Sequence, residues 1–279
     1  MLRIEPEDAY QIVLKWLHDD YACSIVAKSI KLIDKDNVAK AVNAILQTGS
    51  ILFKAVSDEN GKVISERYNK LSAFILYHWD GTFTLRRSLI GALCNFYNTG
   101  FVLLRCSLDT LLQGSLYQCL SQKKYRKSEE VKKVRRGELK NLIDDLIRFF
   151  EKSPHESSKV NETSARIFDV MNTLHKQYKP KIIEVVKLLS GWGLFKPIED
   201  PVGEFHAVYH SKLSFVVHQH YTTTDIGRAI LEKAEIFEVS QPFLKETIEE
   251  YLKEFHKVLE FWLNAEQNLI KYILFNDPI

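Results

Sequence analysis

The chain has 279 residues, a formal net charge of +2, and a composition that is 46% hydrophobic and 11% aromatic. That apolar content can bury one large core or two small ones, which excludes a chain that is disordered throughout. Glycine and proline are few, and apolar residues recur at three- and four-residue spacings. The pattern predicts an all-α fold, and we expect a single helical domain, a multi-helix bundle, over residues 1–279.

The cellular location follows from what the ends and the apolar runs contain. The N-terminal "MLRIEPEDAYQIVLKWLHDD" has early acids and no uninterrupted apolar core, so we expect no secretory or transit peptide. The most apolar uncharged run, 88–104, is short and too polar for a membrane span. We therefore expect a cytoplasmic protein without membrane association. Its isolated cysteines are predicted to be reduced, buried thiols: Cys23, Cys94, Cys106 and Cys119.

The first half of the chain contains several helix signals. Pro6 among acidic residues predicts a helix start. Asp36 can cap a second helix that runs through Ala55, and "DENG" is a turn before a third helix that ends near Trp79. The pattern stays helical over 83–120, where "YNTG" leaves open whether there is one helix or two.

Three further helices are expected over 138–150, 162–178 and 181–189. The segment "GWGLFKPIEDPVG" is the clearest loop because it holds three glycines and two prolines. The later segment "TTTDIGRAILEKAEIFEV" leaves two interpretations open, a short hairpin or a helix.

The strongest helical signal lies near the C-terminus. Apolar residues there alternate at spacings of four and three, which is typical of the buried seam of a long bundle helix. We predict one helix over 243–275. The series is Leu244, Ile248, Tyr251, Phe255, Val258, Trp262, Ala265, Leu269 and Tyr272.

Charged residues interrupt the apolar stretch "NFYNTGFVLLRCSLDTLLQGSLYQCL". Arg105 and Asp109 lie one helical turn apart and can pair. Two interpretations stay open, a contact that only fixes the helix and a part of a polar site, because an ion pair is weak evidence for stability.

A second polar stripe lies in "EFHAVYHSKLSFVVHQHY", where residues at four-residue intervals are His206, His210, Ser214 and His218. His206 and His210 have the spacing of two ligands to one metal ion, and a carboxylate such as Asp109 could complete the set. Alternatively, His210 or His218 acts as a general base held by an acid. A third interpretation is that these rings lie in the core and bond to carbonyls or carboxylates.

The segments "LLRCSLDTLL" and "KLSFVVH" resemble a loosely defined group of all-helical proteins of unknown function. Its members carry Arg-x-x-x-acid, usually Glu, on one helix and Leu-Ser-x-x-x-His on a later helix. The resemblance implies an intracellular helical fold in which three of these side chains face one pocket, and it implies no particular activity. The matching residues are Arg105, Asp109, Leu213, Ser214 and His218, with Asp in place of Glu; those implied to share the pocket are Arg105, Asp109 and His218.

The chain is also distantly similar to the HEPN group of helical ribonucleases, whose members carry Arg and His on one helix. Only "RFFEKSPH", from Arg148 to His155, has that spacing, and Pro154 would break the helix that must align the two groups. A variant of that chemistry would take Arg105 and His218 from separate helices.

A basic connector is predicted at 121–140, "SQKKYRKSEEVKKVRRGELK", with nine basic and three acidic residues. Its charge suits phosphate contacts, although a solvated helix face or a linker has the same composition. Tyr125 is its single aromatic residue, so no base-stacking platform is indicated. The candidate nucleic-acid contacts are Lys123, Lys124, Lys132, Lys133, Arg135 and Arg136.

Together these features predict an intracellular binding or scaffold protein with a polar pocket between the two motif helices, in which Ser214 and His210 contact the ligand. The alternative is an RNA- or phosphate-processing enzyme that uses Arg105, Asp109 and His218 as catalytic residues. Nucleic acid and another protein are the candidate partners. No cofactor motif is present, and we expect no cofactor.

Overall fold

The computed structural model describes residues 31–137, 139–152, 181–218, 221–234 and 242–275. Within these ranges the chain is helical or connects helices, and the one β-type pairing is an isolated bridge between Ser57 and Val63. The predicted all-α fold is confirmed. The helix expected after Pro6 and the helix expected over 162–178 lie outside the described residues.

The first long helix starts at an aspartate cap. Helix α1 (Lys35–Val56) begins where the Asp34 carboxylate accepts a 3.0 Å hydrogen bond from the backbone N–H of Asp36. The sequence predicted Asp36 as the cap, but the capping residue is Asp34. Helix α2 (Ser65–Lys70) and helix α3 (Ser72–Leu93) follow the predicted turn.

The predicted helix end near Trp79 is wrong, because α3 continues through this residue to Leu93. Gly81 lies in the middle of α3, where an added Cβ atom would overlap the ring of Trp262. The absence of a side chain there allows close packing of an aromatic ring against the helix backbone.

Two helices, and not one, span 83–120. Helix α4 (Tyr97–Ser121) follows α3 after a turn in which Asn95 has a φ of 66°. This left-handed residue reverses the chain, so the break precedes "YNTG", which forms the first turn of α4. The two helices are antiparallel and approach closely at glycines: an added Cβ on Gly114 would lie 2.6 Å from the Tyr77 Cβ.

The basic connector is folded onto the core. It forms two short helices, α5 (Lys123–Arg126) and α6 (Glu129–Val134), before α7 (Lys140–Lys152). Tyr125 and Val131 are buried. The Ser128 hydroxyl accepts a 2.8 Å hydrogen bond from Trp192 Nε1, which ties the connector to the second half of the chain.

The second half contains short helices and one long one. The segment starting at "TTTDIG" is helical in its described part, and the hairpin interpretation is excluded there. The predicted loop ends at Asp200, whose carboxylate caps the next helix by accepting a 2.9 Å bond from the Gly203 N–H. The elements are α8 (Ile182–Gly191), α9 (Pro201–Phe205), a π-helix (His206–Leu213), α10 (Ser214–Val217), a 3₁₀ turn (Tyr221–Thr223), α11 (Asp225–Leu231) and α12 (Lys245–Leu274).

The long C-terminal helix confirms the predicted seam. All nine residues of the apolar series, from Leu244 to Tyr272, are buried. Helix α12 packs against α1 and α4, and the buried apolar residues of all the longer described helices form one hydrophobic core.

The cysteines among the described residues differ in burial. Cys94 and Cys119 are buried thiols that form no disulfide with another described cysteine, whereas Cys106 is exposed, so the expectation of burial is wrong for Cys106. Cys23 lies outside the described residues.

No helix in the described ranges is both long enough and apolar enough to cross a bilayer.

Two ionisable side chains face each other in the core. His78 of α3 and Glu266 of α12 are fully buried, with Nδ1 and Oε1 3.5 Å apart and without hydrogen-bond geometry. The Trp262 ring packs edge-on against His78. Burial lowers the pKa of His78 to about 4 and raises the pKa of Glu266 well above its ordinary value. Both shifts favour the neutral forms, an uncharged His78 and a protonated Glu266, so the buried pair carries no net charge.

Replacing Trp262 by Ala should lower the free energy of unfolding by about 3–5 kcal/mol, because it removes a fully buried aromatic ring and leaves a cavity. Urea denaturation measures the change. Trp79→Ala is the matched control, since Trp79 is 51% exposed and should cost much less. A W262A midpoint equal to that of the wild type would contradict the seam assignment.

The buried pair predicts a pH dependence of stability. In the unfolded chain Glu266 loses its proton above pH 4.5, whereas the folded pair keeps it. Unfolding then releases a proton, so the carboxyl destabilises the fold increasingly as pH rises, by up to about 1.4 kcal/mol per pH unit. Glu266→Gln has no such proton, and its stability relative to the wild type should therefore increase with pH.

Urea unfolding of both proteins from about pH 5 to about pH 8 measures this difference. Glu260→Gln, at an exposed position of the same helix, is the control and should show no such trend. A difference between E266Q and wild type that is constant with pH would mean that Glu266 ionises in the core.

Candidate functional site

The histidine-rich segment contains a π-helix. Residues Pro201 to Val217 form one continuous helical run, and its centre, His206–Leu213, is π-helical. In a π-helix each N–H bonds to the fifth preceding carbonyl, and such turns are rare and frequently occur at functional sites. The wider turn changes which side chains share a face with the next α-helical turn.

Arg105 of α4 lies against this π-helix. Its guanidinium carbon is 4.6 Å from the centroid of the Tyr209 ring, and its Nη1 donates a 3.4 Å hydrogen bond to Ser214 Oγ. Its Nε lies 4.0 Å from Asp109 Oδ2. The structure thus brings together Arg105, Asp109 and Ser214, three of the motif residues, and adds Tyr209.

Tyr209 is a partner of Arg105, although the sequence pattern assigned it to the apolar side of the helix. The residue is buried, and it stacks on the buried ring of Phe205 with centroids 4.8 Å apart. Burial first and the Asp109 charge second raise the pKa of Tyr209 to about 12, although the Arg105 charge acts in the opposite direction. The hydroxyl therefore stays protonated at neutral pH.

His206 and His210 lie beside this cluster, with ring centroids 5.0 Å apart. His206 is exposed and His210 is half-buried. Burial lowers the pKa of His210, and His206 and Arg105 act in the same direction. In the part of the chain that the structure describes, no group of three His, Cys, Asp or Glu side chains could hold a metal ion. The metal interpretation therefore has two nitrogen ligands and no described third ligand.

His218 does not join the cluster through any described contact. It is exposed, and its backbone N–H bonds to the Ser214 carbonyl at 3.0 Å. No hydrogen bond or ion pair among the described residues links its side chain to Arg105 or Asp109. The four-residue stripe was drawn with α-helical geometry, and the π-helix before Ser214 changes that register. Of the Arg148 and His155 pair, only Arg148 lies within the described residues, on α7.

A cavity of about 420 Å³ lies between the same two helices, close to this cluster. Phe101, one turn before Arg105, and Phe215, next to Ser214, line it. The other walls come from Lys212, the 3₁₀ turn, α11 and the first turns of α12. The polar pocket was expected between these helices, but other residues line it.

An ion-paired group forms one wall of the cavity. The two oxygens of Glu250 accept hydrogen bonds from Lys212 Nζ at 2.8 Å and from Arg228 Nη1 at 3.0 Å. Arg228 is buried and also lies over the Phe101 ring at 4.6 Å. Burial alone would raise the pKa of Glu250, but these hydrogen bonds outweigh it and hold the pKa below its ordinary value. The group is charged and well bonded.

Glu232 fixes the far end of the cavity. Its carboxylate accepts hydrogen bonds from the backbone N–H groups of Glu246 and Thr247, at 3.0 Å and 2.9 Å, and from the Thr247 hydroxyl. These N–H groups lie in the first turn of α12 and have no partner within the helix, and a negative charge is favourable there. The carboxylate thereby joins α11 to α12.

The basic connector uses part of its charge internally. Lys124 Nζ donates a 2.7 Å bond to the Tyr272 carbonyl, Lys132 pairs with Glu129, and Arg135 pairs with Asp144 at 2.6 Å. The other three candidate cations are exposed and form no ion pair with described residues. They are Lys123, Lys133 and Arg136.

The sequence did not point to Lys212, Arg228 or Glu250. They come from three separate elements, so no local spacing marks them. Tyr209 had a usable signal, since it lies next to His210 and five residues before Ser214 in the segment that was singled out.

Comparisons with known proteins identify no relative. No family model matches the chain, and no curated protein or solved structure is significantly similar to it. The resemblance to an uncharacterised helical family therefore stays a prediction, and function must be inferred from the residues themselves.

The exposed cations of the connector allow a test of nucleic-acid binding. If Lys123, Lys133 and Arg136 contact phosphates, replacing all three with Gln should weaken binding to single-stranded RNA and reduce the salt slope by about two, at about 0.7 per contact. Fluorescence anisotropy at several salt concentrations measures this.

The control for that test removes the same charge elsewhere, by replacing the exposed Lys62, Lys245 and Lys253 with Gln. It should leave the slope unchanged if the connector is the contact surface. No binding at low salt, or equal slopes for both triple variants, would remove nucleic acid as a partner of this surface.

Proposed function

We propose that this chain is a non-enzymatic binding protein whose ligand occupies the cavity between α4, the π-helix, α11 and the start of α12. The observation that carries the proposal is the combination of an apolar wall and an ion-paired wall in one cavity of about 420 Å³. Small-molecule sites have volumes of about 300–1,000 Å³ and combine apolar surface with a few fixed polar groups.

The lining suggests the chemical class of the ligand. Phe101, Phe215 and Leu231 offer contacts to a ring or an alkyl chain. Lys212 can donate to an anionic group, and Glu246, whose side chain is exposed, can accept from a cationic one. A small zwitterion with an apolar side chain satisfies all three features, whereas a singly charged molecule leaves one of them unmatched.

A phosphate- or RNA-processing enzyme is the alternative. The observation in its favour is that Arg105 acts electrostatically on His210, a half-buried imidazole with a lowered pKa. A neutral imidazole beside a cation is suited to general-base catalysis. Hydrolysis of RNA or of a phosphomonoester by the wild type, abolished in His210→Gln, would support this alternative over a binding protein.

Phenylalanine and tryptophan are suitable probes for the cavity, with benzoate and phenethylamine as singly charged comparators. Ligand-detected NMR should show binding of the zwitterions and weaker binding of the comparators. Phe215→Ser should lower the affinity on the order of tenfold, because it removes apolar contact area from the cavity wall.

The control for this variant is Phe83→Ser on α3. Phe83 and Phe215 are both 50% exposed, and Phe83 does not line the cavity. Equal loss of binding in the two variants would locate the ligand elsewhere, and absence of binding by every probe would contradict the proposed ligand class.

A further inference from the structure

Arg105 makes few of the hydrogen bonds that a guanidinium can make. The group has five N–H donors. Its bond to Ser214 Oγ is long at 3.4 Å, and Asp109 lies 4.0 Å from Nε, beyond hydrogen-bond distance. Nε itself is buried and bonds to no described residue. A well-formed arginine–carboxylate pair has two bonds of about 2.7–2.9 Å, so Arg105 keeps donor capacity for a further acceptor.

The guanidinium is nevertheless held in one orientation. It lies over the ring of Tyr209, which stacks at an interplanar angle of 18° on the buried Phe205. These layers cover one face of the guanidinium. The Arg105 side chain is still 17% exposed, so a solute can reach it. An arginine side chain that is held in one orientation, partly exposed and incompletely bonded can bind an acceptor with little reorganisation.

His206 and His210 add nitrogen donors near Arg105, and this combination favours an anionic ligand. His210 lies 5.0 Å from His206 and 5.2 Å from Tyr209, the ring that Arg105 covers, as measured between ring centroids. Burial is the first cause of the lowered pKa of His210, and the His206 and Arg105 charges lower it further. Among the described residues, no carboxylate shifts the pKa of His210 in the opposite direction. An anion bound between the imidazoles and the guanidinium would supply the missing opposite charge.

We propose that Arg105, Ser214, His206 and His210 form a binding site for a phosphoryl group. The donors come from two helices and outnumber the two oxygens of a carboxylate, which favours a phosphoryl group with its three acceptor oxygens. None of these four residues lines the cavity of about 420 Å³, so the site is separate from the ligand site proposed above and does not depend on it.

The surrounding charges make the site responsive to pH. Asp109 offsets the charge of Arg105, the Tyr209 hydroxyl is protonated, and burial first and the Asp109 charge second raise the pKa of the Cys106 thiol. On the side of α12, Lys257 is paired with Glu204 at 3.8 Å. The site gains positive charge when His210 is protonated, so the affinity for a given ionic form of phosphate should rise as pH falls.

Titration with inorganic phosphate tests the proposal. The imidazole signals of His206 and His210 in ¹H–¹³C NMR spectra should shift on addition of phosphate, and the pKa of His210 should rise in the bound state. Acetate at equal ionic strength should shift them much less. Arg105→Lys keeps the charge but loses the planar fork of donors, and should weaken phosphate binding by about tenfold or more.

Two further variants keep the test independent of folding defects. Asp109→Asn removes the opposing carboxylate and should strengthen phosphate binding, an effect that a purely structural role of the pair would not produce. His218→Gln is the matched histidine control, since His218 is exposed and outside the cluster, and should leave the affinity unchanged.

Several results would overturn the assignment. The same signal changes with chloride in place of phosphate would indicate only general ionic screening. Unchanged phosphate affinity in a folded Arg105→Lys variant, or equal losses in the His218→Gln and His210→Gln variants, would show that the cluster is not the site. Equal shifts with acetate and phosphate would show that the cluster binds oxyanions in general and would contradict its specificity for a phosphoryl group.

Discussion

The close approach of α12 to the α3–α4 hairpin is the constraint on which the other features depend. The Ser88 hydroxyl lies 2.7 Å from the Gly100 carbonyl and 2.7 Å from the Tyr251 hydroxyl, so one buried serine connects all three helices. Gly81 leaves room for the Trp262 ring on the same hairpin. Because both helices of the hairpin are held at fixed distances, the side chains on the outer faces of α4 have defined positions.

Phe101 and Arg105 occupy successive turns of α4 and meet different parts of the same helical run. Phe101 lines the cavity together with Phe215, whereas Arg105 lies on Tyr209 and bonds to Ser214. The π-helix makes this division possible, because its wider turn brings side chains toward α4 that a continuous α-helix would distribute differently.

Three polar clusters illustrate three ways of accommodating ionisable groups. Burial favours the neutral forms of both His78 and Glu266 in the core, which avoids the cost of burying separate charges. Glu250 keeps its charge because two cations donate short hydrogen bonds to it. Arg105 is different, since its nearest carboxylate is 4.0 Å away and one of its donors bonds to no described residue. The incomplete bonding of Arg105, on a partly exposed side chain, favours a ligand there.

The sequence by itself determined the features that depend on local periodicity. The all-α fold, the buried seam from Leu244 to Tyr272 and the proximity of Arg105 and Asp109 all follow from helical spacing, because neighbouring residues on one helix keep their relation in any tertiary context. The tertiary structure decided the rest. Gly81 lies within a helix because Trp262 packs on it, and Lys212, Arg228 and Glu250 meet across three elements. The position of His218 likewise depended on the π-helix, whose packing against α4 involves residues that are far apart in the chain and leave no periodic signal.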